Sequence, residues 1–359
     1  MSKRKADGPV GIRQMAAELG VSIGTVDRAL HGRAGVSEAT RERVLELARR
    51  WKYTPNLAAR NLKLNRRVRI GVFLPEEIAS FYGPLREGIR AAAENDAGSA
   101  VEVEFFGYPR LGAGDVERME AENWRRFDGV IVAPGDPARL TAMLNAESDA
   151  RPAVVCVTTD APGAPRLASI AVESRASGAI AAELLGRLVT ASLPVATITG
   201  DLRIEDHAEK LRGFSAALKR YAPHLRELKA IESHESSQDA FEAALELLDA
   251  QPELGGIYIS TANSLPVMRA LKETGRLGRV AVIATDLFPE LAALIEEGHV
   301  FASLYQRPFT QGRMAYETLS RHLVAGVTPR QVVRLAPHVV LRSNLALFTG
   351  ETGRDEPLA

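Results

Sequence analysis

Residues 11–32 read GIRQMAAELGVSIGTVDRALHG. Ile12, Met15, Ala16 and Leu19 recur at steps of three and four, and Val26, Ala29 and Leu30 repeat that spacing, which predicts two short amphipathic helices. Between them, Gly20 is free to take the left-handed conformation that ends a helix and Val21 can plug the corner. Ser22 offers a hydroxyl to the first N–H groups of the second helix. The pattern is that of a helix-turn-helix, although paired short helices also occur in small all-helical domains with other roles.

Charge separates these alternatives. Residues 1–69 hold 16 Lys and Arg against 6 Asp and Glu, whereas the rest of the chain holds 29 against 39, so a formal net charge of zero hides a basic head and an acidic body. Phosphate neutralisation dominates DNA affinity, and the asymmetry points to a nucleic-acid-binding head.

At 359 residues the chain exceeds what one core normally supports, and 46% apolar with 25% charged residues is ordinary for a soluble globular protein. The start, MSKRKADGPVG, is basic but leads into no apolar segment, and no run approaches the roughly 18 apolar residues of a membrane span; a cytoplasmic, nucleoid-associated protein without membrane contact is expected. Cys156, in the run AVVCV, reads as a buried strand thiol. The seven histidines show no HxxxH or HExxH spacing and there is no CxxC, so no metal is expected. GxSxG, Walker A and a strand-to-helix GxGxxG are missing from the sequence, and neither a catalytic group nor a cofactor is expected.

Ser37 can cap a third helix marked by Val44, Leu45, Leu47 and Ala48, closing a head over residues 1–53. Pro55 breaks the pattern. Residues 57–62 can form one or two turns, marginal in isolation, inside a hinge and linker over 54–67. From Val68 short apolar runs alternate with amphipathic stretches. Strands are expected at 69–75, 101–108, 128–134, 152–158, 169–172, 194–200, 254–260 and 280–286. Helices are expected at 83–94, 115–126, 137–145, 174–190, 209–220, 237–249, 264–274 and 289–297. Such alternation implies parallel sheets with helices on both faces, and this many strands implies two lobes over 68–348, followed by a tail at 349–359 with no heptad pattern. Ligands of such sheets bind beyond the carboxyl ends of the strands, here in a cleft between lobes.

The strings LGVSIGTVDRALHG (19–32), GVSEATRERVLELA (35–48) and YTPNLAARNL (53–62) resemble the head and hinge of the LacI/GalR-type bacterial transcription regulators. The resemblance implies an α-helical helix-turn-helix head, a hinge helix, and an α/β two-lobed periplasmic-binding-protein-like sensor with parallel sheets, the similarity running to about residue 345. Ser22, Ile23, Gly24, Thr25 and Arg28 then occupy the helix that enters the major groove, with His31 just beyond it. Ile23 and Gly24 stand where the family reads base edges, Arg28 faces a guanine or a phosphate, and Ser22 and Thr25 face phosphates. Asp27 departs from the family's usual serine. Asn56, Ala59 and Leu62 match the hinge, where a leucine wedge opens a minor-groove base step; Leu62 serves as that wedge, packs against its symmetry mate, or does both.

In the sensor, the resemblance assigns a sugar or polyol effector to Phe81, Tyr82, Asp160, His207, Lys210, Asn263, Asp286 and Gln306. Phe81 and Tyr82 stand where relatives stack a ring on the sugar, and Lys210 stands where many carry arginine, so the bidentate fork is lost. Asp accepts from adjacent hydroxyls while Asn both donates and accepts, and for each residue alone capping a helix at a strand end is the competing role. The whole implies a ligand-responsive homodimeric repressor of carbohydrate or polyol genes on a pseudo-palindromic operator. A solute-binding transport protein accounts for residues 68–345 but leaves the basic head unused.

Overall fold

A computed structural model describes residues 12–30, 34–51, 67–96, 100–147 and 151–349, in two compact units divided near residue 60. The first unit is three helices, α1 (Ile12–Leu19), α2 (Ile23–Leu30) and α3 (Glu38–Arg50). Their apolar faces meet in a core of Met15, Ala16, Val26, Ala29, Val44 and Leu47, with Val21 and Trp51 at its edge. Gly20 takes φ +65°, the left-handed turn that its missing Cβ permits. Ser22 Oγ accepts from the Thr25 N–H at 3.0 Å at the start of α2, and Ser37 caps α3 through the Thr40 N–H.

The second unit has two lobes. The first sheet carries β1 (Val68–Pro75), β2 (Val101–Tyr108), β3 (Gly129–Val132), β4 (Ala153–Val157), β5 (Ala168–Val172) and β12 (Val332–Leu335) in the order β12-β5-β4-β3-β1-β2, all parallel. Helices α4 (Ala79–Asn95) and α12 (Pro308–Ala325) cover one face through Ile70, Val72 and Leu74. Helices α5 (Asp115–Ala121) and α6 (Pro137–Asn145) cover the other, where Phe73 points the opposite way.

The second sheet has the order β13-β11-β10-β9-β6-β7, built from β6 (Pro194–Thr199), β7 (Arg226–Glu227), β9 (Gly256–Ile259), β10 (Ala281–Thr285), β11 (Ala302–Tyr305) and β13 (His338–Leu341). The short β8 (Ile231–Glu232) pairs with the far end of β6, and β13 alone runs antiparallel, against β11. Ile257 and Ile259 face α9 (Ser237–Ala250), α10 (Leu265–Glu273) and α11 (Pro289–Glu296). Tyr258 faces α7 (Ser174–Leu188) and α8 (Glu205–Tyr221), stacking on Phe214 with centroids 5.4 Å apart.

The eight expected strands are present. The differences lie elsewhere. The expected helix at 115–126 ends at Ala121, and Asn123, at φ +49°, turns the chain so that the fully buried Trp124 enters the core on a short 3-10 turn. Helix α8 begins at Glu205, four residues ahead of expectation, which places Asp206 and His207 in its first turn. The 18-residue α12 and strands β11 to β13 were not foreseen. They matter because the chain passes between lobes three times, after β5, after β11 and after β12.

At the first passage α7 lies directly against α8. A Cβ on Gly178 would overlap the Lys210 carbonyl oxygen, and one on Gly213 would overlap that of Arg175, so each helix needs a bare backbone where it meets the other. Gly88 and Gly312 do the same for α4 and α12. Gly178→Ala should therefore destabilise the body by roughly 1–3 kcal/mol through overpacking, despite a helix-propensity gain of about 1 kcal/mol. Calorimetry of G178A, G213A and the double variant checks this: the losses should be less than additive, since both open one contact, and an unchanged melting temperature in G178A would contradict it.

Candidate functional site

In the head, Ser22, Ile23, Gly24 and Arg28 form an exposed strip along the start of α2, with Thr25 half-buried beside it. Ile23 is 50% exposed, while Val26 and Ala29 on the opposite face are buried. The Ser22 and Thr25 hydroxyls lie 2.8 Å apart. A Cβ on Gly24 would stand 4.0 Å from an Arg28 guanidinium nitrogen, so this arginine folds back over the smooth spot that the glycine leaves. His31, Asn56, Ala59 and Leu62 lie outside the described residues.

In the body, a cleft opens between the carboxyl ends of the two sheets. The first lobe lines it with Phe81, Tyr82, Leu111, Thr158 and Thr159; the second lines it with Asp206, His207, Lys210, Glu235, Asp286 and Gln306. One wall is largely aromatic and apolar, the other charged. Phe81 and Tyr82 stand in the first turn of α4 as an edge-to-face pair with centroids 4.9 Å apart.

The charged wall is one connected chain. Lys210, 1% exposed, donates from Nζ to Asp206 Oδ2 at 2.6 Å and to Gln306 Oε1 at 2.7 Å. Gln306 Nε2 donates to Asp286 Oδ2 at 2.7 Å, its backbone N–H donates to Asp286 Oδ1 at 3.1 Å, and Ser174 Oγ donates to Asp206 Oδ1 at 2.5 Å. Alongside runs a second pair, His207 Nε2 facing Glu235 Oε1 at 3.0 Å, while Thr261 Oγ1 donates to Glu235 Oε2 at 2.8 Å.

Electrostatics follows from who faces whom. Burial opposes ionisation of Asp206, but Lys210 and His207 overcome it and hold the carboxyl below its ordinary range. Burial likewise opposes the charges of His207 and Glu235, and their mutual contact prevails, raising the imidazolium and lowering the carboxyl. The imidazolium Nδ1–H then donates to the Asp201 carbonyl at 3.1 Å; in the neutral ring Nδ1 accepts from the Asp201 N–H at 3.0 Å. Asp286 is bonded by the Gln306 amide and lies one residue removed from Lys210 in the chain of contacts; burial outweighs the pull of the Lys210 charge and of Gln306, pushing its carboxyl up to about 7.

Backbone strain gathers at the same place. Ile78, Thr158, Glu235 and Asp286 all line the cleft and all have positive φ, at 55°, 68°, 57° and 68°. This region is foreign to β-branched residues such as Ile78 and Thr158, and such strain clusters at binding sites.

Of the eight sensor residues expected at the ligand, six line this cleft: Phe81, Tyr82, His207, Lys210, Asp286 and Gln306. Asp160 does not. It is buried in an ion-pair cluster with Arg166 and with Arg334 Nη2 at 3.0 Å, tying the loop after β4 to β12. Asn263 lines a neighbouring groove, where Ser237 Oγ donates to its Oδ1 at 3.2 Å. Sequence reading missed Asp206, Glu235, Thr158, Thr159 and Thr261. Asp206 had a usable signal, standing four residues before Lys210 on one helix face; Glu235 lies in a loop and had none.

The chain matches the family described as periplasmic binding protein domain over residues 70–326, and the bacterial regulatory proteins of the lacI family over residues 11–56. Catabolite control protein A of Priestia megaterium is 24% identical over 346 residues, covering 93% of this chain and 99% of the relative. The HTH-type transcriptional repressor PurR of Vibrio atlanticus is 24% identical over 339 residues, covering 93% and 98%. Among solved structures, a glucose-galactose binding protein from Geobacillus stearothermophilus superposes with a TM-score of 0.70 at 25% identity, over 79% of this chain and all of that one. A solute binding protein from Burkholderia graminis in complex with D-arabinose shares the fold with a TM-score of 0.72 at 21% identity, over 79% and 98%.

The raised Asp286 carboxyl makes a signed prediction. Its unfolded value is near 3.9, so between about pH 4 and pH 7 the folded protein holds a proton that the unfolded chain releases. The contribution of this group is full below about pH 4 and is lost as pH rises through about 7. Asp206 and Glu235, whose values are lowered, act in the opposite sense: their contribution is present above the ordinary carboxylate range and is lost on acidification. The stability of wild type minus that of Asp286→Asn should therefore decline from pH 4 to pH 7, measured by denaturant titration; a flat difference would show a carboxylate ionised throughout.

Proposed function

As a member of the periplasmic binding protein domain family that carries the head of the lacI-family bacterial regulatory proteins, the chain is, we propose, a ligand-responsive transcription repressor whose effector is a sugar or polyol. The observation that carries this reading is a cleft with an aromatic wall from one lobe and a hydrogen-bonding wall from the other, on the same chain as an exposed recognition-helix strip. Phe81 and Tyr82 offer faces to the C–H side of a sugar ring, and Asp286, Gln306 and Glu235 offer acceptors and donors to its hydroxyls.

Residues 1–53 act as the DNA-binding head, 54–67 as hinge and linker, 68–348 as the sensor and dimerisation body, and 349–359 as a tail. Two heads in a cytoplasmic homodimer read the half-sites of a pseudo-palindrome. Ile23 and Gly24 meet base edges, Arg28 meets a guanine or phosphate, Ser22 and Thr25 meet phosphates, and His31 belongs to the same DNA-binding set. Asn56, Ala59 and Leu62 form the hinge. The effector acts by binding one arrangement of the lobes better than the other, and its influence on the operator is limited to that difference in affinity. The named relatives are regulators and sugar-binding proteins, which supports a binding role without catalysis. Among the described residues no helix is long and apolar enough to cross a membrane.

Gel shifts over a salt series test the reading. The purified protein should bind a selected duplex with an affinity that falls steeply with salt. Arg28→Ala should weaken that binding by about tenfold or more while changing non-specific binding less, in line with a lost bidentate contact. A matching sugar should shift operator affinity in wild type and lose that effect in Asp286→Asn. Salt-independent or sequence-blind binding would favour a solute-binding role instead.

A further inference from the structure

Beside the inner cleft, sharing Ile78 and Ala262 with it, lies a broader groove of about 490 Å³. Four helices begin on this groove. Ser80 belongs to the first turn of α4, Ser237 opens α9, Ser264 precedes α10, and Glu290 stands in the first turn of α11. Helix starts carry partial positive charge and unspent N–H groups, and side chains normally quench them. Here only α9 is quenched in that way, by Ser236 Oγ accepting from the Asp239 N–H; the residues preceding α4, α10 and α11 make no side-chain cap bond.

A second observation is independent of the helices. Ser264 is fully buried and its hydroxyl has no hydrogen-bond partner, although it occupies the capping position of α10; Asn263, 8% exposed, leaves its amide Nδ2 without a partner as well. Buried donors are nearly always paired, so two unpaired donors side by side at a helix start call for an acceptor. Arg269, one turn into α10, adds a cation to the same groove; it also pairs with Glu273 and lies over the Phe241 ring. Glu290 is the opposing charge.

We propose that this groove is a subsite for a phosphoryl group, so that the effector is a phosphorylated sugar or polyol with its hydroxylated part in the inner cleft and its phosphate on the start of α10. This rests on the sugar reading of the inner cleft. In the inner cleft Lys210 is paired with Asp206 and His207 with Glu235, so both cations among its lining residues are already engaged, which places the phosphate in the groove and fixes the orientation of such a ligand.

Two titrations test the subsite separately from the inner cleft. Inorganic phosphate, in low-salt chloride buffer, should raise the melting temperature of wild type, should fail to do so in the Asn263→Ala/Ser264→Ala variant, and should act at severalfold lower concentration on Glu290→Gln. Equal protection of wild type and the double variant would overturn the proposal. In calorimetry with hexoses, hexitols, their monophosphates and the matching sugar acids, a monophosphate should bind about tenfold or more tighter than its parent, with the gap lost in the double variant. Parent sugars or sugar acids binding as tightly as monophosphates would also overturn it. Protection by inorganic phosphate without binding of any sugar derivative would sink the sugar reading of the inner cleft and reduce the proposal to an anion site alone.

Discussion

An ammonium group enclosed by protein must be neutralised where it sits, and the interior of the body is arranged around that requirement at Lys210. Its nitrogen is shared between Asp206 and Gln306, and its own carbonyl oxygen is the atom against which Gly178 packs. Through these contacts one residue fixes three things: the depth at which α8 rests on α7, the position of the segment leaving β11, and the polar wall of the cleft. Ser174, on the segment leaving β5, reaches Asp206, and Gln306 stands just before α12. Two of the three passages between lobes are thereby wired to the same buried charge. Any change that moves Lys210 acts on the ligand surface and on the connections between lobes together.

The lobes divide the chemistry unequally. The first presents ring faces and threonine hydroxyls; the second presents nearly all the charge. Such a division suits recognition of a ligand with an apolar face and a hydroxylated rim, since neither wall alone satisfies both. It also gives closure a physical basis: a ligand held first by one wall gains the contacts of the other only when the lobes meet, and that gain is the differential affinity through which a sensor works.

Much of this was legible in the sequence, and the failures have physical causes. Strands buried on both faces read as plain apolar runs, and the head was readable because Gly20, Ser22 and Ser37 each announce a turn or a cap by residue type. Helix α12 escaped because its buried face is built from Thr310, Gln311, Gly312 and Ser320 as well as Ala315, Tyr316 and Leu319, which erases the apolar period. Strands β11 to β13 carry Ser303, Arg334 and His338, and so lack the unbroken apolar run by which the equally short β3 and β9 were read. At the cleft, polar residues at the ends of strands were found as a class, but their tasks depend on partners far along the chain. Asp160 is claimed by Arg334, 174 positions away, and Lys210 by Gln306, 96 positions away. Glu235, in a loop at positive φ, gave no local sign of either burial or its histidine.

The threefold passage of the chain also governs the order in which the molecule can be made. The head is contiguous and complete once α3 has been synthesised, whereas the edge of the first sheet is β12 and the edge of the second is β13, both beyond residue 330. Neither lobe is a continuous stretch of polypeptide. On the ribosome the head finishes early, while both lobes wait for the same final segment and close together. A message broken shortly before that segment would yield a complete three-helix head attached to a body in which both sheets lack an edge strand. The topology thus makes the tail end of translation the step that completes both lobes at once, long after the head.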